Sequence, residues 1–170
     1  MKGRPEANEA APYYSRYIDR VASDDIVPAL DAQSSEILSF LSGISEDKSL
    51  HRYEPDKWSI RQVLSHVNDT ERVFLFRAFW FARGLEGALQ SFDQDPCAAT
   101  AGADARSWAS HVEEFRAIRL SGLTLFRNLP AEAWMRSGVA SGNSVTTRAL
   151  AYIVAGHAAH HVAVLQERYL

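Results

Sequence analysis

The sequence is poor in most of what would mark a secreted, membrane or nucleic-acid-binding protein. It has one cysteine, Cys97, in 170 residues. An internal disulfide framework and a cysteine-based zinc finger both need pairs, so neither can form, and a reducing cytoplasmic setting is the expectation. Lysine is scarce, with only Lys48 and Lys57 beyond the N-terminus. Set against 21 Asp+Glu, the 18 Lys+Arg leave a formal net charge of −3. There is no basic stripe for phosphates, and nucleic acid is not an expected partner. Long hydrophobic runs are missing too. The most apolar stretch, 73–82, is short and interrupted by Arg77, and 1–11 is polar without the apolar centre of a signal peptide, so no membrane association is expected. Glycine and proline are sparse, at 9 and 6, and fall mostly between stretches with helical period.

What is present is an ordinary globular composition, 46% hydrophobic, 11% aromatic and 23% charged. That is enough for one core, and a single domain over residues 1–170 is expected. A first helix is predicted after Ser23, Asp24 and Asp25, with Pro28 in its first turn and an apolar stripe of Val27, Leu30, Ile37, Leu41 and Ile44. After a charged loop at 45–58, Ser59-Ile60-Arg61-Gln62 reads as a capping box opening a second helix that runs to about Gly84. Residues 85–106 show weak periodicity and read as a long connection. A third helix is predicted over 107–129, ending at Pro130, with Trp108, Val112, Phe115, Gly122, Phe126 and Leu129 on its stripe. A turn at 137–143 precedes a last helix from near Ser144 almost to Leu170. The expectation is an all-α fold, a four-helix bundle with a long crossover between its second and third helices.

The chemistry sits on the last helix, in Gly156-His157-Ala158-Ala159-His160-His161. His157 and His161 fall one turn apart near the middle of a face made by Leu150, Ile153, Val154, Val164 and Leu165, and that separation lets one helix bind a single metal through two imidazoles. Two neutral core imidazoles without a metal must each find hydrogen-bond partners, which is costly. His160 falls to the side of that face. A catalytic zinc site has three protein ligands and one open position, so a third ligand must come from elsewhere. His51 and His111 read as solvent-facing. His66 lies inside the second helix at the edge of its apolar face. No glutamate of a His-Glu-x-x-His motif, Gly-x-Ser-x-Gly elbow or phosphate loop is present.

Arg119, on the stripe of the third helix, stays charged and must be paired. It reads either as a salt bridge to Asp69 or Glu71, or as an anchor for an anionic substrate group. Asp69, three residues after His66, either orients that imidazole or faces solvent. The aromatic residues Phe74, Phe76, Phe79, Trp80 and Phe81 wrap more than one side of the second helix, leaving some for a subunit interface.

The run 57–66, Lys-Trp-Ser-Ile-Arg-Gln-Val-Leu-Ser-His, followed by Glu71-Arg72 and the distant 156–161 motif, resembles the DinB-like family of four-helix metalloproteins, and the likeness extends over nearly the whole chain. The resemblance implies a bundle in which His66, His157 and His161 hold one divalent metal, zinc or nickel by preference and iron as a further option. It implies a small-thiol S-transferase or thiol-dependent isomerase in which the metal activates a thiolate, with a low-molecular-weight thiol as cosubstrate and a homodimer as the assembly. On that reading Arg119 holds a carboxylate of the small-molecule substrate and His160 assists proton movement. The alternatives are a metal-dependent hydrolase, and a non-enzymatic stress-response or interaction protein stapled by a structural metal.

Overall fold

The structure, a computed structural model, describes residues 3–170. In chain order its helices are α1 (Ser15–Ile18), α2 (Ile26–Ser42), α3 (Ile60–Ala82), α4 (Gln94–Thr100), α5 (Trp108–Arg127) and α6 (Thr147–Arg168), with one hairpin of β1 (Ser137–Ala140) and β2 (Asn143–Thr146) before α6. The long helices α2, α3, α5 and α6 form the four-helix bundle. The capping box that opens α3 is in place, with Gln62 N donating to Ser59 Oγ and Ser59 N to Gln62 Oε1, both at 3.0 Å.

The helices are not arranged as a simple up-and-down sequence. Asn68 Nδ2 donates to His111 O, Glu71 pairs with Arg119 and Leu75 packs onto Gly122. Positions rise together along both helices, so α3 and α5 run parallel. A parallel pair cannot be joined by a tight turn, and the segment 83–107 carries the chain back along the bundle. That segment is not featureless: it contains α4, capped by Asp93, and a 3₁₀ turn at Ala103–Ala105. The last helix, α6, runs the opposite way to α3, with Tyr169 Oη donating to Trp58 O at 2.9 Å and Arg136 Nη1 to Ala82 O at the other end.

Two sequence expectations are corrected at 137–147. The turn is a two-stranded antiparallel hairpin in register Ser137↔Thr146 to Ala140↔Asn143. Ser141 and Gly142 at its tip take positive φ, 53° and 76°, as two-residue hairpin turns prefer. The run from Ser144 to Thr146 has β-branched residues at Val145 and Thr146, which suit a strand better than a first helical turn. The last helix accordingly starts at Thr147, with Thr146 Oγ1 accepting from Ala149 N. Leu89 joins the hairpin edge, its N donating to Val139 O at 2.9 Å.

Residues 147–158 of α6 are buried on every side, because the N-terminal segment covers the face that the bundle leaves open. Glu9 latches that segment down, accepting from Thr146 Oγ1 at 2.8 Å and Arg148 Nε at 3.0 Å. Further along, the Tyr17 carbonyl lies directly on Gly156: a Cβ there would stand 2.0 Å from the Tyr17 oxygen. The glycine is what lets α1 sit on α6. Apolar residues gather in two clusters, one around Tyr17, Phe74, Phe81 and Ile153, the other around Ile37, Leu64, Phe115 and Leu165. The histidines of α3 and α6 lie where the two meet.

Candidate metal centre

His66 on α3 and His157 and His161 on α6 converge, each offering one nitrogen, with these atoms all within 4.8 Å of one another. His66 Nε2 and His157 Nε2 are 3.2 Å apart. Two nitrogens bound tetrahedrally to one ion at about 2.0–2.1 Å stand roughly 3.3 Å apart, so the pair is already set at ligand spacing. The edge position assigned to His66 from periodicity becomes a buried one, because α6 packs against that edge.

Burial drives all three imidazoles to the neutral form that a metal needs. It lowers His66 to about 4. His161 falls to about 3, through burial and then its neighbours His66 and His160. His157 is held well below its ordinary value by burial and then by His161 and His66. Thr70 Oγ1 lies 3.3 Å from His66 Nδ1, placed to accept the Nδ1 proton and leave the Nε2 lone pair facing the cluster. Asp69, expected either to orient His66 or to face solvent, pairs with Arg72 instead. His161 Nδ1 is enclosed and has no hydrogen-bond partner. Its surroundings are apolar, with Val63, Leu64 and Leu165 nearby. His66 Nε2 and His157 Nε2 are close enough for a hydrogen bond whose donor is set by the tautomers, and three nitrogens at this spacing have the donor set and reach to hold a divalent cation.

A cavity of about 140 Å³ opens on His66 and His157. Its walls include Tyr13, Tyr14, Tyr17 and Phe74, and its polar groups include Thr70 and Arg77. The Tyr17 ring stands edge-on to His157 at 5.2 Å, and Trp58 lies 5.1 Å from His66 on another side. Among the described residues no carboxylate lines the cavity.

His160 stays outside the group of three, half-buried, with its ring 5.0 Å from His161 and 5.7 Å from Tyr17. Of the two readings open to Arg119, the structure carries the salt bridge. Nε and Nη2 donate to the two Glu71 carboxylate oxygens at 2.8 and 2.9 Å, and Nη1 donates to Gln33 Oε1 at 2.7 Å. Those donors are spent, and Arg119 does not line the cavity. His111 corrects its expectation: it is fully buried, with Nε2 2.9 Å from Ala103 O, while Val112 is only partly buried. The parallel packing of α5 on α3 turns that face one residue further than the apolar stripe implies. His51 is exposed, as expected.

Sequence reasoning did not pick out Tyr17, Thr70 or Arg77. Arg77 had a readable signal, since it shares a helical face with Phe74, Ala78 and Phe81, all buried. Tyr17 had none, because its place depends on a contact with Gly156 far along the chain.

The fold matches that of a solved structure, YfiT from Bacillus subtilis, described as a probable metal-dependent hydrolase with an unusual four-helix bundle topology. The match has a TM-score of 0.71 at 15% identity, over 98% of this chain and 91% of that one. No curated protein is significantly similar to this chain in sequence. The family model of the DinB superfamily matches residues 29–165, a span that holds the capping box of α3 and all three converging histidines, and the chain belongs to that superfamily.

Proposed function

We propose that this protein is a metal-dependent enzyme of small-thiol chemistry, an S-transferase or thiol-dependent isomerase, with His66, His157 and His161 as the ligands of one divalent ion, zinc or nickel. The observation that carries the reading is the set of three convergent imidazoles, two of which, His66 and His157, open on a cavity that offers no fourth protein ligand among the described residues. A structural site is closed by four protein ligands, whereas a catalytic one keeps a position open. A bound divalent ion supplies Lewis acidity to a thiol or a water.

The residues around the site do the rest. Thr70 fixes the His66 tautomer, the tyrosines and Phe74 exclude water, and α6 presents two ligands from one rigid helix. The lack of a carboxylate in the cavity favours a thiol over water. A thiol of pKa about 8.5 needs little help to ionise, whereas hydrolysis calls for a general base within hydrogen-bond reach. The second reading is a metal-dependent hydrolase, favoured by the description of YfiT.

The test starts with elemental analysis of untagged protein. About one divalent ion per chain in the parent is expected, lost in His157→Ala and His161→Ala while the helical circular dichroism is kept. The loaded protein is then offered an electrophilic chloroarene with cysteine, and separately an activated ester. Metal-dependent thioether formation supports the thiol reading, metal-dependent ester cleavage alone supports the hydrolase, and no metal after loading with zinc or nickel refutes both.

A further inference from the structure

Four arginines in the described residues are buried in the fold, and three of them face an acid. Arg61 pairs with Glu46, Arg119 with Glu71 and Arg148 with Glu9. The fourth, Arg77, is 4% exposed and has no carboxylate within ion-pair distance among the described residues. Only its Nη2 is engaged, donating to Gln90 O at 2.9 Å and Ser141 Oγ at 3.0 Å, and the guanidinium lies 6.0 Å from the centre of the Phe74 ring. A guanidinium cannot shed its proton, and a buried charge without a counter-charge is expensive. Arg77 is also the one of the four that lines the cavity beside His66 and His157. The missing acid is therefore missing where a ligand enters.

We propose that Arg77 is the anion-binding residue of this cavity, and that the substrate is a small carboxylate whose anionic end pairs with Arg77 while its reactive end faces His66 and His157. The proposal rests on the enzymatic reading above and narrows it to a substrate class. A single carboxylate matches the lining: among the described residues Arg77 is the one cationic side chain on the wall, and no acidic side chain lines it. Apart from an ion at the histidines, the wall offers a phosphate no second cationic side chain. The walls fit an unsaturated or aromatic body, since Tyr14, Tyr17 and Phe74 offer ring faces and edges, and a cavity near this size holds about one benzene ring. The hairpin that periodicity did not show has a role here: its tip residue Ser141 holds one edge of the guanidinium and leaves Nε and Nη1 for a ligand.

The probe is benzoate, with benzamide as its neutral isostere and inorganic phosphate as the alternative anion. Binding is read by calorimetry or ligand-observed NMR on the metal-loaded protein and again after chelation, with metal content measured on each sample. Benzoate should bind the parent at least about tenfold more tightly than benzamide or phosphate, with or without metal. The preference should vanish in Arg77→Gln, which keeps a donor for Gln90 O and Ser141 Oγ but removes the charge, and persist in Arg77→Lys. Equal binding of benzoate and benzamide by the parent overturns the proposal, as does undiminished benzoate binding in Arg77→Gln. Should Arg77→Gln fail to fold, the parent's benzoate preference and the Arg77→Lys variant decide. Binding that follows Arg77 in protein unable to hold metal would sink the metal reading and leave this one standing. Metal bound normally with no Arg77 dependence would do the reverse.

Discussion

Replacing Gly156 by alanine should damage the protein although it improves the intrinsic helicity of α6. The new Cβ would lie 2.0 Å from the Tyr17 carbonyl oxygen, 2.4 Å from its carbon and 2.9 Å from its Cα. Carbon and oxygen tolerate about 3.3 Å, so α1 must retreat by roughly 1.3 Å, and because both partners are backbone no rotamer change relieves the clash. Alanine gains about 1 kcal/mol of helix propensity over glycine. Against that, Tyr17 and Val21 are nearly fully buried, and each buried side chain of this size contributes about 1.5–3 kcal/mol. Undocking α1 thus outweighs the gain by about 2–5 kcal/mol, which for a chain of this length is a fall in Tm of roughly 5–15 °C. The assay is thermal and urea unfolding, with hydrogen exchange of residues 13–18 as a local readout. A variant as stable as the parent, or slightly more so, would show that α1 does not rest on Gly156 and would refute this account of how Tyr17 reaches His157.

Two further outcomes are expected. Glu71→Ala leaves the Arg119 guanidinium, 1% exposed, without its acid, and should destabilise by about 3–5 kcal/mol; a loss below about 1 kcal/mol in urea unfolding would count against the pairing. The histidine centre predicts acid sensitivity. His66 and His161 are lowered to about 4 and about 3 from an ordinary 6.5, so the unfolded chain takes up protons first as pH falls. Stability of the metal-free fold should therefore be level above about pH 7 and decline from about 6.5 towards 3–4. Metal retention should weaken in the same direction, since the ligands must be neutral, and a flat profile of unfolding free energy between pH 7 and 4.5 would contradict the burial of these rings.

The parts of the molecule legible in the sequence are those governed by local pattern. The capping box at Ser59, the Leu30, Ile37 and Leu41 stripe of α2 and the one-turn spacing of His157 and His161 are short-range features that appear where the pattern puts them, although Ile26 takes the buried place expected of Val27 and Ile44 lies just past the helix. The parts that were not legible depend on contacts between distant segments. Periodicity treats α6 as having one buried face, but the N-terminal segment encloses its first half on all sides, so a face could not be defined. The burial of His111 follows from how α5 lies on α3. Arg119, where a substrate anchor was first sought, is taken up by Glu71 and Gln33, while Arg77 has no acid opposite it among the described residues, and no spacing rule reports which arginine is paired.

If His66, His157 and His161 hold an ion as proposed, their placement along the chain also sets when the site is assembled during synthesis. Chains leave the ribosome N-terminus first, and until α6 emerges this one presents His66 alone of the three. A lone imidazole has little hold on a divalent ion, and this cluster does not exist before α6 is made. Both remaining ligands then arrive together on one helix, whose docking also completes the bundle. On that reading the site would form only when α6 docks on α3, and its choice of metal would be set by the spacing of those two helices more than by the intrinsic affinity order.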